Sequence, residues 1–307
     1  MRPSTQAAPR EPAGATAAGL DYAAVTPARN ERDNLPRLAA ALVAQQRRPR
    51  EWVVVDDGSD DGGREAIEAL AAEHDWIRVV DFEAAGGGAL ADGRREGRDL
   101  EAFRTGVRAL RGEPEVVVKV DADVSFEPDY FALLLERFAA EPDLGIASGA
   151  CWELQDGRWV RRRVMADHPR GATRAYRREC LPELMALEPR MGWDGVDEIA
   201  VSVRGYRSRT FTEIPFRHHR AEGGRERGRF QARAAQGRGS WYMGYRPGYV
   251  LLRTAYQLRT GPSALGIAWG YAASALRGES RCPDPEIRRR VRERQRLRSA
   301  LRRGAPP

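Results

Sequence analysis

The sequence predicts a doubly wound α/β fold with a mostly parallel central sheet, followed by a helical appendage. Three observations lead there. Dense β-branched apolar runs alternate with amphipathic stretches at helical spacing, giving a β-α-β-α-β order over the first eighty residues. Each run ends in polar or acidic residues, where open α/β sheets gather their ligand groups. The densest run, Val116 to Val120, passes directly into Asp121-Ala122-Asp123.

In chain order, Tyr22 to Thr26 reads as the first strand, closed by Pro27. Asn34 reads as the cap of a helix carrying Leu35, Leu38, Leu42 and Val43, with Pro36 tolerated in its first turn. Trp52 to Asp56 is the second strand, Arg64 to Glu73 a helix and Trp76 to Phe82 the third strand. A Gly-rich loop from Glu83 to Gly97 leads to a helix over Asp99 to Leu110, and that helix to the Val116 strand. Glu127 to Phe138 is a helix and Leu144 to Gly149 a strand.

The second half is less regular. Trp159 to Val164 reads as a strand, and Gly171 to Cys180 as a glycine-led segment turning into a helix. A helix from Gly192 to Arg204 and an extended run from Arg207 to Phe216 lead to His218-His219-Arg220. Ala221 to Gly239, rich in Gly and Arg, reads as a mobile loop. Trp241 to Leu258 and Pro262 to Leu276 read as apolar-aromatic helices before an Arg-rich terminal one. The expected division is a disordered leader over 1–20, a globular domain over 21–220, a flexible loop over 221–239 and a basic helical appendage over 240–303.

The 307 residues carry a net charge of +7, with basic residues crowded into the last third. Such a tail suits an anionic partner, a membrane surface or plain solvent. Cys151, Cys180 and Cys282 are scattered and odd in number, which speaks for a reducing compartment without a disulfide framework. The leader has no apolar core behind a basic start, and Gly261 to Leu276, the longest uncharged run, is shorter than the ~20 residues of a spanning helix. The expectation is a cytoplasmic protein, with basic C-terminal helices suited to peripheral contact at the inner membrane face.

Three acidic groupings bear on chemistry. On an extended backbone Asp121 and Asp123 project to one side, as oxygen ligands of a hard divalent cation must, although a polar strand end gives the same pattern. Asp56-Asp57-Gly58-Ser59 offers carboxylates and loop amides at a strand end, or simply a capped turn. Asp194, Asp197 and Glu198 crowd one helix start; Asp194 and Asp197 have capping-box spacing, but three acids exceed what one cap needs. A carboxylate at a helix N-terminus stays ionised and can take a proton as a general base.

These pieces, in this order, resemble a family 2 glycosyltransferase of the GT-A fold, from about Tyr22 to about Arg220. The resemblance rests on Thr26-Pro27-Ala28-Arg29-Asn30-Glu31, Val53 to Ser59, Asp121-Ala122-Asp123 and Trp193 to Glu198. Lys119 to Phe126, Arg170 to Arg177, His218-His219-Arg220 and Gly244 to Pro247 are similar to a bacterial subgroup. The resemblance implies a Rossmann-like sheet and single-displacement, inverting transfer of one sugar from a nucleoside-diphosphate sugar to an acceptor hydroxyl, in the making of cell-surface glycans, glycolipids or polysaccharides. It places Asp57, Asp56, Pro27, Arg29 and Glu31 around the nucleotide. It places Asp123 on Mg²⁺ or Mn²⁺, Asp121 on the ribose or the metal, and His218 as a further ligand with His219 as its substitute. Asp194 is the favoured base, with Asp197 and then Glu198 behind it. Trp193 is a stacking platform for the acceptor, and Arg170 and Arg174 are phosphate contacts.

Some features depart from the family. Trp193 stands where a Glu usually precedes the Asp. Gln236 to Trp241 does not match the Gln-x-x-Arg-Trp signature of processive members, which favours one transfer per encounter. A basic appendage with Trp, Tyr and Leu would suit a lipid-linked acceptor. Two rivals fit less well. A sugar-phosphate nucleotidyltransferase would carry a Gly-rich phosphate loop after the first strand, and a nucleic-acid-binding protein would interleave stacking aromatics with its final basic helix, so no nucleic acid partner is expected.

Overall fold

The structure, a computed structural model, describes residues 19–82, 97–155, 157–162, 165–190, 192–220 and 228–295. The leader before Gly19, most of the Gly-rich loop (83–96), residues 221–227 and the end of the Arg-rich helix after Gln295 lie outside the described residues.

Four strands, β1 (Tyr22–Ala28), β2 (Glu51–Asp56), β3 (Ile77–Asp81) and β4 (Val116–Val120), make a parallel half-sheet in the order β3-β2-β1-β4. Their apolar runs are continuous because both faces are covered. Val25, Val53, Val55 and Val117 enter one core layer, and Ala24, Val54, Val116 and Val118 the other. The helices α1 (Leu35–Val43) and α2 (Gly63–Glu73) pack on the second layer, and α3 (Arg98–Arg108) on the first.

Past β4 come β5 (Val124–Phe126), α4 (Tyr130–Ala140), β6 (Leu144–Gln155), β7 (Arg158–Arg161) and β8 (Thr173–Arg177). A 3-10 turn, α5 (Leu181–Met185), α6 (Trp193–Val203) and β9 (Arg207–His218) follow. β8 lies antiparallel between β4 and β6, β9 runs parallel to β6, and β5 and β7 pair antiparallel to β9 and β6. Among the described residues, six of the nine strands (β1–β4, β6 and β9) therefore run in one direction. The mostly parallel sheet read from the sequence is present. One edge of it gathers the ends of β1, β2, β4 and β9 and the start of β8.

Several local expectations are corrected. Asn34 does not cap α1 with its side chain; its amide donates to Glu31 Oε2 at 2.6 Å instead. Gly171 to Cys180 forms no helix at its start, because Thr173 to Tyr176 are all buried and complete the sheet between β4 and β6. The loop expected up to Gly239 is helical from Arg229, in α7 (Arg229–Tyr242). Its small residues admit a second helix: a side chain at Gly237 would collide with the Ile267 carbonyl, and one at Gly270 with that of Ala234. The expected Trp241–Leu258 helix is broken at Gly244, whose φ of +72° is left-handed, and α8 (Pro247–Gln257) starts anew.

The appendage continues with α9 (Leu265–Leu276), close against α7, and α10 (Pro285–Arg294). Ile287 and Val291 of α10 pack with Trp193, Val196 and Ala200 of α6, so the appendage shares a core layer with the central sheet. A close approach of this kind also fixes α3. A Cβ at Gly106 would lie 2.9 Å from Val55 Cγ2 and still nearer Val25. Gly106→Val should therefore lower stability by about 1–3 kcal/mol, read as a drop in urea midpoint with the m-value unchanged.

Candidate active site

The loops after β1 and β2 form the first group. Asp57 N–H donates to the Ala28 carbonyl at 2.8 Å, tying the two strand ends together. The Asp57 carboxylate takes a fork from Arg98, with Nε at 2.5 Å, and has Arg29 at 4.0 Å. Asp56, also buried, accepts from Ser59 N–H at 3.3 Å and has Arg64 at 3.7 Å. Glu31 is buried under a two-pronged contact from Arg220, both bonds at 2.9 Å. Pro27, half-buried, closes β1 beside them. The residues expected around a nucleotide do converge. Arg98 and Arg220 were not singled out as site residues, because their partners are distant in sequence.

The second group lies at the end of β4. Asp123 is buried, with Oδ1 3.1 Å from His218 Nε2 and Oδ2 3.6 Å from Arg220. Burial alone would raise its pKa, but the hydrogen bond and charge of His218 and the charge of Arg220 carry it below the usual carboxylate range. For His218, burial works downward and is outweighed by Asp123, Cys151 and Asp121, which bring it up to about 10. Its Nδ1 is buried without a hydrogen-bond partner among the described residues. Asp121 does not join this pair; it meets the buried Lys119 ammonium, which also donates to the Gly171 carbonyl at 3.4 Å. Lys119 is the only lysine in a chain with 51 lysines and arginines.

The Asp123 carboxylate beside His218, whose ring would give up its proton on binding, makes an oxygen–nitrogen donor pair that fits Mg²⁺ or Mn²⁺. The ligating atoms of Cys151 and Glu153 also come within 4.8 Å of each other and of His218, a neighbourhood the sequence did not suggest. Glu153 is taken by Arg162 at 3.3 Å and Arg170 at 3.4 Å. His219 is turned away, bonded to Ser125 Oγ at 2.7 Å and edge-on to Trp159.

The third group is the start of α6. Its N-cap is Gly192, not Asp194, so no capping box forms. Asp197 is fully buried and spent: it accepts from Arg174 at 2.7 and 2.9 Å, from the Tyr176 hydroxyl at 2.6 Å and from Glu198 N–H at 2.6 Å. Burial outweighs the Arg174 fork and, with the charge of Glu198, raises its carboxyl to about 7. Glu198 accepts from Arg174 at 2.9 Å and meets His168 Nδ1 at 2.8 Å. Arg174 is also bonded to the Pro169 and Asp194 carbonyls. It has no exposed surface and is not available to a phosphate, contrary to the expectation.

Asp194 is the exception. Its carboxylate is half-buried and has no hydrogen bond among the described residues, and Oδ2 lies 3.6 Å from where a Cβ on Gly171 would be. Burial would raise its pKa, but the charges of Arg174, His168, Lys119 and Arg170 hold it below the ordinary value. It is an ionised carboxylate with no hydrogen bond among the described residues, in the field of Lys119. Trp193 is not a stacking platform: its ring is buried and its indole N–H donates to Asp99 at 3.1 Å. Arg170 is mostly covered and lies near both Asp194 and Glu153.

Residues 23–191 match the family model described as "Glycosyl transferase family 2". The chain belongs to that family. An undecaprenyl-phosphate 4-deoxy-4-formamido-L-arabinose transferase from Pseudomonas aeruginosa is 32% identical over 182 residues, covering 54% of this chain and 50% of the relative. A polyprenol monophosphomannose synthase from Mycolicibacterium smegmatis is 36% identical over 125 residues, 40% of this chain and 43% of the relative. The chain thus spans about half the length of the curated relatives it matches. In fold it is similar to a mannosyltransferase from Pyrobaculum calidifontis solved with GDP-Man and Mn²⁺, at a TM-score of 0.54 and 17% identity over 94% of this chain and 88% of that one. It is also similar to S. aureus TarS with UDP-GlcNAc, at a TM-score of 0.53 and 16% identity over 89% of this chain and 78% of that one. The GT-A architecture and the transferase class follow from these matches.

Two outcomes test the acid cluster. Asp197→Asn should cost about 3–5 kcal/mol of stability, because the fully buried Arg174 loses one of its two carboxylate partners and keeps only Glu198; chemical denaturation reads this. His168 has its pKa raised, burial being outweighed by Glu198 and Asp194. Its pairing energy is therefore full below its unfolded value of about 6.5 and is lost as pH rises through the higher folded value. The Tm difference between the native chain and His168→Gln should be largest at acidic pH and shrink toward alkaline pH.

Proposed function

We propose that this family 2 enzyme transfers one sugar from a nucleoside-diphosphate sugar to a hydroxyl acceptor with inversion at the anomeric carbon. The observation that carries the reading is the isolation of the Asp194 carboxylate, ionised and unbonded, while its neighbours Asp197 and Glu198 are committed to Arg174. Asp194 removes the proton of the acceptor hydroxyl as its oxygen attacks the anomeric carbon from the face opposite the leaving diphosphate. Asp56, Asp57, Arg29 and Glu31 border the nucleotide, with Pro27 at its edge. Asp123 and His218 would hold Mg²⁺ or Mn²⁺, with Asp121 beside them. The cation would supply Lewis-acid charge to the diphosphate as it departs. Lys119, Arg170 and Arg220 bring positive charge to the same edge.

The relatives named for undecaprenyl phosphate and for a polyprenol support an acceptor carried on a lipid. Such a product belongs to glycan, glycolipid or polysaccharide assembly.

Asp194→Asn should bind nucleotide and Mn²⁺ as the native chain does and lose turnover by about 10²–10⁴-fold, measured as nucleoside diphosphate released. Asp123→Ala should lose Mn²⁺-dependent nucleotide binding as judged by thermal shift. Full turnover by Asp194→Asn would remove it from the base role, and undiminished Mn²⁺ dependence in Asp123→Ala would move the cation elsewhere.

A further inference from the structure

The segment from Gly228 to Gly278 contains seven arginines and no Asp or Glu, so its charge alone equals the net +7 of the whole chain. Within it α8 and α9 turn large apolar side chains to the outside. Leu251 and Leu252 on α8 are 62% and 54% exposed. On α9, Leu265, Trp269 and Leu276 recur on one helical face, with Trp269 62% and Leu276 89% exposed. Leu258, in the turn joining the two helices, is exposed as well. The opposite side of α9, with Gly266, Ile267, Gly270 and Tyr271, is buried, in part against α7, so the exposed stripe is the face left over after folding. Large apolar side chains left exposed on a segment that carries arginines and no acids are uncommon on a protein that meets only water.

The helices are too short to cross a bilayer: no helix among the described residues is long and apolar enough to span one. α9, with 12 residues, is about 18 Å long. That length suits a helix lying in the plane of the interface, with its apolar face among acyl chains and flanking arginines at the phosphates. Nucleic acid would match the arginines but leave Leu251, Leu265 and Trp269 in water. A second copy of this chain would bring seven further arginines against the first seven without a carboxylate to answer them.

We propose that the α8–α9 face seats the protein in the headgroup layer of an anionic lipid bilayer. Arg246 and Arg259, both exposed, meet the lipid phosphates. The inference goes beyond the transfer reaction and stands apart from it, since docking is read without nucleotide or metal.

The test is flotation of the full chain with phosphatidylcholine vesicles and with vesicles containing roughly 30% phosphatidylglycerol, at low and high salt. Binding is expected to the anionic vesicles, to weaken with salt, and to be near background on phosphatidylcholine alone. Leu265→Gln/Trp269→Gln and, separately, Arg246→Gln/Arg259→Gln should each weaken it by roughly tenfold or more. Both pairs change exposed side chains, and an unaltered thermal transition shows that they fold. Failure to float with anionic vesicles, or binding unchanged by the Leu265→Gln/Trp269→Gln pair, overturns the proposal. So does a concentration-dependent dimer abolished by that pair, which assigns the face to a second copy, or salt-sensitive retention on duplex DNA without vesicle binding.

Discussion

A fully buried guanidinium constrains this structure more than any other single group. Arg174 sits at the middle of the sheet with no exposed surface, where its charge and its donors must be answered by protein. Asp197, Glu198 and the carbonyls of Pro169 and Asp194 answer them. That requirement sets β8 between β4 and β6, presses the start of α6 onto it and holds the 168–171 loop over the strand edge. It also sorts the three acids of α6. Two are consumed by the arginine, and the third is left ionised in its field.

The edge where this happens is shared. Parallel strands deliver their C-terminal ends to one side, so Asp56, Asp57 and Asp123 arrive together although they are far apart in sequence. β9 brings His218 to the same place because its last residue pairs with Val124, next to Asp123. β8 runs the other way, so its start, not its end, reaches this edge, and Asp121 N–H donates to the Ala172 carbonyl at 2.8 Å. The Asp194 carboxylate lies there beside Gly171. Positive and negative groups alternate along the edge, from Arg98 on Asp57 to Arg220 between Glu31 and Asp123 and Lys119 at Asp121. A diphosphate and a cation would enter a region already balanced in charge.

The parts of this that were legible in the sequence are local ones. Apolar runs ending in acids mark strand ends, and their order points to the sheet and to the edge where Asp56, Asp57 and Asp123 meet. What was not legible depends on partners distant along the chain. The Asp197 side chain cannot be told from that of Asp194 without knowing that Arg174, some twenty positions earlier, lies beneath it. The same blindness made Arg174 a phosphate contact and Trp193 a stacking platform, when burial had claimed both. Glycine misled in one further case: in α7 it serves close helix contact, a use that composition cannot distinguish from a loop. Lys119 is the reverse case: a single lysine among so many arginines is visible in the sequence itself.

The proposed reaction sets the free Asp194 carboxylate opposite a leaving diphosphate, and the stereochemistry of the product tests that most directly. With the donor identified by nucleotide-sugar screening, the anomeric configuration of the first-formed product can be read by proton NMR coupling. An α-linked donor should yield a β-linked product through one displacement assisted by Asp194. A product that keeps the donor's configuration would contradict this, because a single displacement from the face opposite the leaving group must invert the anomeric carbon.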